Sequence, residues 1–182
     1  MNKPILDLPF LDCQTIENDS WILHTLSVRL EDYWKFVADE GGQLRRDFFD
    51  SDGWDFLSKN EVIEQISHAL ADPEDLRSLS YSVTIIATTA TTLGKTLQLR
   101  DIQIINGLQI TKIIVHQFQC GSPLSKDGDL FVKIIVTSDV QTRDIIISHT
   151  SYQDQPLTIA ELEAARNRLK SSHRSRKIPE GR

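Results

Sequence analysis

The chain has 182 residues, 40% apolar and 25% charged, with a net charge of −6, which suits one globular domain able to bury a core. No apolar run approaches the ~18 residues of a membrane helix, and the acidic, proline-broken opening MNKPILDLPFLDCQ is unlike a signal peptide, so a cytoplasmic protein without membrane contact is expected. Cys13 and Cys120 stand far apart with no C-x-x-C pattern, and read as buried or idle thiols with no zinc site and no cofactor.

Met1 to Asp19 reads as a loose lead-in, because Pro4 and Pro9 interrupt backbone pairing. Trp21 to Leu30 (WILHTLSVRL) is rich in β-branched and large apolar residues and predicts a strand. Glu31 to Phe36 turns helical. Tyr33, Trp34 and Val37 share a face, Glu31 and Asp32 lie favourably near the N-terminus, and Gly41-Gly42 is the expected stop. The Arg45-Arg46 pair then suits an exposed end of an element. Asp50, Asp52 and Asp55 lack the closing glutamate of a calcium loop and read as a solvated segment. Lys59 to Ala71 predicts a helix with Val62, Ile66 and Ala69-Leu70 on one face, ended by Asp72-Pro73. Val83 to Thr88 predicts a strand, and Thr88 to Thr96 a threonine-rich turn around Gly94.

Arg100 to Phe118 (RDIQIINGLQITKIIVHQF) is the stretch on which the reading turns, and it admits two backbones. Asn106-Gly107 between β-branched runs is a strong hairpin signal, since both residues tolerate positive φ. Alternatively, Ile110, Ile113, Ile114, Gln117 and Phe118 fall on one helical face, which makes a strand, a glycine turn and a helix. Local propensity leans to the hairpin, because isoleucine and valine lose rotamer freedom in helices.

Further on, Cys120 to Gly128 is loop chemistry. Leu130 to Thr137 (LFVKIIVT) is a near-continuous apolar run, expected of a strand covered on both faces. Asp139 to His149 reads as a turn and helix. Leu157 to Leu169 opens with a capping box, Thr158 with Glu161, and predicts another helix. Arg166 to Arg182 holds seven Lys/Arg against Glu180 alone, a net +6 that leaves −12 on the other 165 residues. Such an end reads as a solvated, disordered tail, and so acidic a body is a poor general platform for phosphate backbones. The five histidines (His24, His68, His116, His149, His173) are scattered, with no nucleophile–base pair visible and His116 on a helix surface.

Several of these segments, in this order, resemble the AIPR family of bacterial abortive-infection and phage-resistance proteins. Ile102 to Gln109 (IQIINGLQ) is similar to its IVNG-x-Q-T signature, Val83 to Ala87 (VTIIA) to its ITIIA strand, and Leu130 to Thr137 to its VLVKIIET strand. Arg45 and Arg46 stand where the family has a basic residue. Thr150 and Gln153 keep the spacing of a polar A-T-N-S-Q-T segment, and Ser80, Tyr81 and Ser82 replace an Asn-Asn-Gly motif. The resemblance spans about residues 25 to 165. It implies an α/β domain over 20–165, built on a mixed β-sheet with flanking helices and a strand–NG turn–helix at its centre. It also implies a role in antiviral defence, linked to a nucleotide or nucleic acid, with further copies of the chain or other defence proteins as partners; the alternatives are a phosphoryl- or nucleotide-processing enzyme using the Asn106–Gln109 turn, or an inactive truncated remnant of such a protein. The ligand-binding residues it implies are Asn106, Gly107, Gln109, Thr111, Arg46, Thr150 and Gln153, and it assigns no catalytic residue and no metal. Physically, a glycine turn opening a helix presents backbone N–H groups and a positive dipole end to phosphate or carboxylate.

Overall fold

Eight strands and three α-helices make up the described residues of the computed structural model, which are 4–48, 82–121 and 128–151, the last three by backbone alone. The helices predicted over Lys59–Ala71 and Leu157–Leu169, the acidic stretch at Asp50–Asp55, the tail, Ser80, Tyr81 and Gln153 lie outside those residues.

The larger sheet has five strands: β2 (Asp12–Glu17), β3 (Ile22–Arg29), β8 (Asp129–Val136), β4 (Ser82–Ala87) and β7 (Gln103–Asn106), in that spatial order. β4 and β8 run parallel, and the other neighbours pair antiparallel. Parallel neighbours need a long crossover, and α2 (Leu108–Gln119) lies within it. A smaller antiparallel sheet is ordered β1 (Leu6–Pro9), β6 (Thr96–Arg100), β5 (Thr89–Leu93). The expected class, a mixed β-sheet with flanking helices, is the one observed.

Three local expectations change. The lead-in before Asp19 is two strands. Pro9 is accommodated because it ends β1, an edge strand, opposite Thr96, and Leu8 beside it is wholly buried. The threonine-rich stretch is the hairpin β5–β6 rather than a simple turn, with Gly94 at its tip in a left-handed conformation (φ 59°). β8 is central in the sheet yet not covered on both faces along its length. Leu130, Val132, Ile134 and Val136 are buried, while Phe131 and Lys133 are exposed.

That asymmetry follows from where the helices lie. α1 (Leu30–Val37) continues directly from β3 and packs on α2 and β1, so one face of the large sheet is buried. Leu30, Tyr33, Phe36 and Val37 turn inward from α1, and Ile110, Ile113 and Ile114 from α2. They meet Leu26, Val28, Ile85 and Ile134 of the sheet together with Leu97 and Leu99 of β6. Each large aliphatic side chain so buried contributes about 1.5–3 kcal/mol. On the other face α3 (Val140–Ser151) lies against β7 at the sheet's edge, leaving Phe131 and Lys133 without cover among the described residues.

α1 stops at Val37, before the two glycines expected to end it. Ala38 turns extended, and the Asp39 carboxylate accepts the N–H groups of Gly41 (2.9 Å) and Gln43 (2.8 Å), which fixes the turn. Among the described residues no helix is long and apolar enough to cross a membrane.

Candidate functional site

β7 runs into α2 through Gly107, so Asn106-Gly107 opens a helix rather than a hairpin. The reason is tertiary. Ile110, Ile113 and Ile114 bury their side chains against the sheet, and that burial outweighs the small helix penalty of β-branched residues. Gly107 has φ 95°, and a Cβ there would sit 2.8 Å from Val83 Cγ2 and 3.0 Å from Val83 Cα. Both the conformation and the close approach to β4 require glycine.

Just before it, β7 is bulged. Ile104 faces Ile85 and Asn106 faces Thr84, which leaves Ile105 as the extra residue. A bulge re-aims the side chains that follow it, and this one sets Asn106 at the mouth of the turn. Asn106 and Gln109 are both half-buried, and no described residue forms a hydrogen bond with either side-chain amide. No side chain caps the N-terminus of α2, whose first turn holds no acidic residue. The turn therefore combines a positive dipole end with two adaptable amides.

Thr111 has a different place from the one expected. It is wholly buried; its hydroxyl donates to the Gly107 carbonyl at 2.7 Å and also meets the Tyr33 hydroxyl at 2.7 Å. Tyr33 is itself fully buried, and burial pushes its phenol well above the ordinary range, the Thr111 hydrogen bond opposing this only in part. The pair is thus neutral and ties α1 to the first turn of α2. Thr111 holds the turn in shape and does not reach solvent.

The arginine pair divides in the same way. Arg45 Nε donates to the Ala38 carbonyl at 2.9 Å, and its guanidinium stands 5.8 Å from the Phe48 ring centre. Arg46 is exposed and begins a short 3₁₀ turn, Arg46–Phe48, that packs against β7. The elements carrying Arg46, Asn106 and Gln109 are therefore neighbours. Thr150 falls in the last turn of α3, and Gln153 lies outside the described residues.

One contributor to the site escaped the sequence reading. Tyr33 was legible as a core residue, but its hydroxyl required a partner that only the fold identifies. His116 and Cys120, both exposed, meet on the last turn of α2 with Nε2 and Sγ 3.6 Å apart.

Comparison with family models, curated proteins and solved structures yields no match.

Proposed function

We propose that this chain is an antiviral-defence protein of the AIPR type, and that the turn Asn106–Gln109 is its ligand site. The ligand class is an anionic group carried on a nucleotide or nucleic acid. One observation carries this reading: a glycine-gated helix N-terminus, with no side-chain cap, is flanked by two amides that have no hydrogen-bond partner among the described residues. Backbone N–H groups of the first helical turn would receive the anion's oxygens, and Asn106 and Gln109 would select among anions by their geometry. Arg46, on the neighbouring 3₁₀ turn, would add positive charge. In this reading the chain binds, and no step of bond cleavage is assigned to it.

The test compares phage plating on bacteria expressing the chain with plating on bacteria expressing Asn106→Ala/Gln109→Ala at equal abundance. We expect protection from the parent chain and none from the variant, with matching thermal midpoints, since neither amide holds the fold together. Equal protection from both would remove the turn from the mechanism. Absence of protection from both would remove the defence role itself.

A second reading rests on the sheet face left without cover among the described residues. Ile16 is 60% exposed and Phe131 40% exposed. Ile16 and Ile135 flank Leu23 in register across three strands of that face. Apolar exposure of this kind suits a protein that works through a partner. Sedimentation of the purified chain separates the readings: a concentration-dependent oligomer lost on Phe131→Lys would favour it, and a monomer would not.

A further inference from the structure

We propose that the outer face of the large sheet is a platform for an unpaired strand of nucleic acid, on which Phe131 stacks against a base and Lys133 receives a phosphate. The proposal rests on the reading of the Asn106–Gln109 turn as an anion site, and it names the molecule to which that anion belongs.

Strand register carries the argument. On β8, Phe131 and Lys133 point away from the core, two positions apart, and both are exposed. Across the parallel pairing with β4, Phe131 is matched with Ser82 and Lys133 with Thr84. The turn lies directly beyond β4. Thr84 faces Asn106, and a Cβ on Gly107 would stand 3.2 Å from the Ser82 carbonyl oxygen. Two neighbouring rows, Phe131–Ser82–Gly107 and Lys133–Thr84–Asn106, therefore run from the sheet face into the turn. Adjacent strands lie about 4.8 Å apart, so each row spans about 10 Å. A short strand laid across β8, β4 and β7 reaches the ring, the ammonium group and the turn together.

The chemistry of these rows selects the occupant. Lys133 forms no hydrogen bond or ion pair among the described residues, and its register neighbours Thr25 and Thr84 are neutral. A protein partner closing over this row would bury the ammonium among hydroxyls, and lysine is depleted from interface cores. A phosphate neutralises it instead, with threonine hydroxyls able to donate to the remaining oxygens. Phe131, 40% exposed, supplies the other half of the recognition, since every base has a face that stacks on an aromatic ring. Asp129, two positions from Phe131 on the same strand, accepts the Ser27 hydroxyl at 2.5 Å and is matched in register with Arg29. Charge also limits the ligand. A chain of net charge −6 does not draw in a long phosphate backbone, so affinity rests on stacking and a few phosphates. A duplex hides its base faces and has none to offer Phe131.

The experiment is fluorescence anisotropy of the full chain with a labelled single strand of about ten thymidine nucleotides, repeated across salt concentrations. We expect saturable binding to the single strand and none to its duplex with the complementary strand. Phe131→Leu keeps an apolar side chain and loses the ring, so it should weaken binding about tenfold or more; Phe131→Trp should retain it. Lys133→Gln should reduce the slope of log affinity against log salt by about 0.7, the share of one phosphate on a single strand. Lys133→Arg should keep the parent slope, and Phe131→Leu should leave it unchanged. Both positions are exposed, and matching thermal midpoints verify that each variant folds. No binding by the parent chain, equal binding of the duplex, or indifference to Phe131→Leu would each overturn the proposal. Self-association through this face in place of binding would overturn it in favour of a second copy. Asn106→Ala/Gln109→Ala separates the two readings. Loss of binding there, with Phe131→Leu without effect, would uphold the turn and overturn the platform. Loss only at Phe131 and Lys133 would uphold the platform and remove the turn from the site.

Discussion

Thr111 is a small side chain asked to satisfy two buried groups at once, the Gly107 carbonyl and the Tyr33 hydroxyl. Replacing it with valine keeps its shape and removes both bonds, leaving the phenol buried without a partner. A polar group stranded in this way costs about 1–3 kcal/mol. Tyr33→Phe removes the phenol itself and leaves Thr111 its bond to Gly107, so it should cost less, about 1 kcal/mol. The double variant should cost less than the two losses added together, because the stranded phenol of Thr111→Val is no longer there. Urea unfolding of the four proteins measures all three quantities. Additive losses would mean that the 2.7 Å contact between the hydroxyls contributes nothing. Asn106 and Gln109 are the contrasting case at this scale: their amides form no hydrogen bond among the described residues, so their replacement should leave the same unfolding curves unmoved.

Gly107 belongs to the element scale, because it decides how β7 hands the chain to α2. Gly107→Ala faces both a left-handed backbone, about 1–2 kcal/mol, and a Cβ 2.8 Å from Val83. We expect a loss of at least about 2 kcal/mol, measured by the same unfolding curves, and a near-neutral result would mean that the turn relaxes without cost. The same residue shows where the sequence was legible. The strands from Trp21 and Val83, the helix after Glu31 and the buried face of α2 follow from side-chain periodicity. The choice between hairpin and helix after Asn106 does not, since the local chemistry of Asn-Gly suits both and only burial of Ile110, Ile113 and Ile114 selects the helix. Likewise the apolar run of β8 could not reveal that Phe131 is exposed, because which sheet face the helices cover is a property of the assembled layers. For the site, Asn106 and Gln109 were legible as polar residues at a turn. The inward role of Thr111 was not, because it depends on a tyrosine 78 positions away.

For the molecule as a whole, acid sensitivity has an identifiable source. His24 is 8% exposed and its Nδ1 lies 2.9 Å from the Thr15 hydroxyl. Burial lowers the imidazole below its ordinary value of 6.5, against a smaller upward pull from Glu17. In the unfolded chain the ring takes up its proton first, so stability is full above about pH 6.5 and falls as pH drops from there towards the folded value. Thermal midpoints measured across that window should decline in the parent chain and decline less in His24→Gln. Identical profiles would assign the loss to other groups. The order of the strands carries a second consequence, one of timing. β3 takes β2 as one neighbour, close by in sequence, but its other neighbour is β8, and the bond from Ser27 to Asp129 spans 102 positions. Contacts so distant are slow to form, since a long loop must close before they reward the chain. During synthesis β3 therefore waits, one edge bare, until nearly three-quarters of the chain has left the ribosome. A nascent chain halted before Asp129 should be digested by protease, and one extended past Val136 should begin to resist.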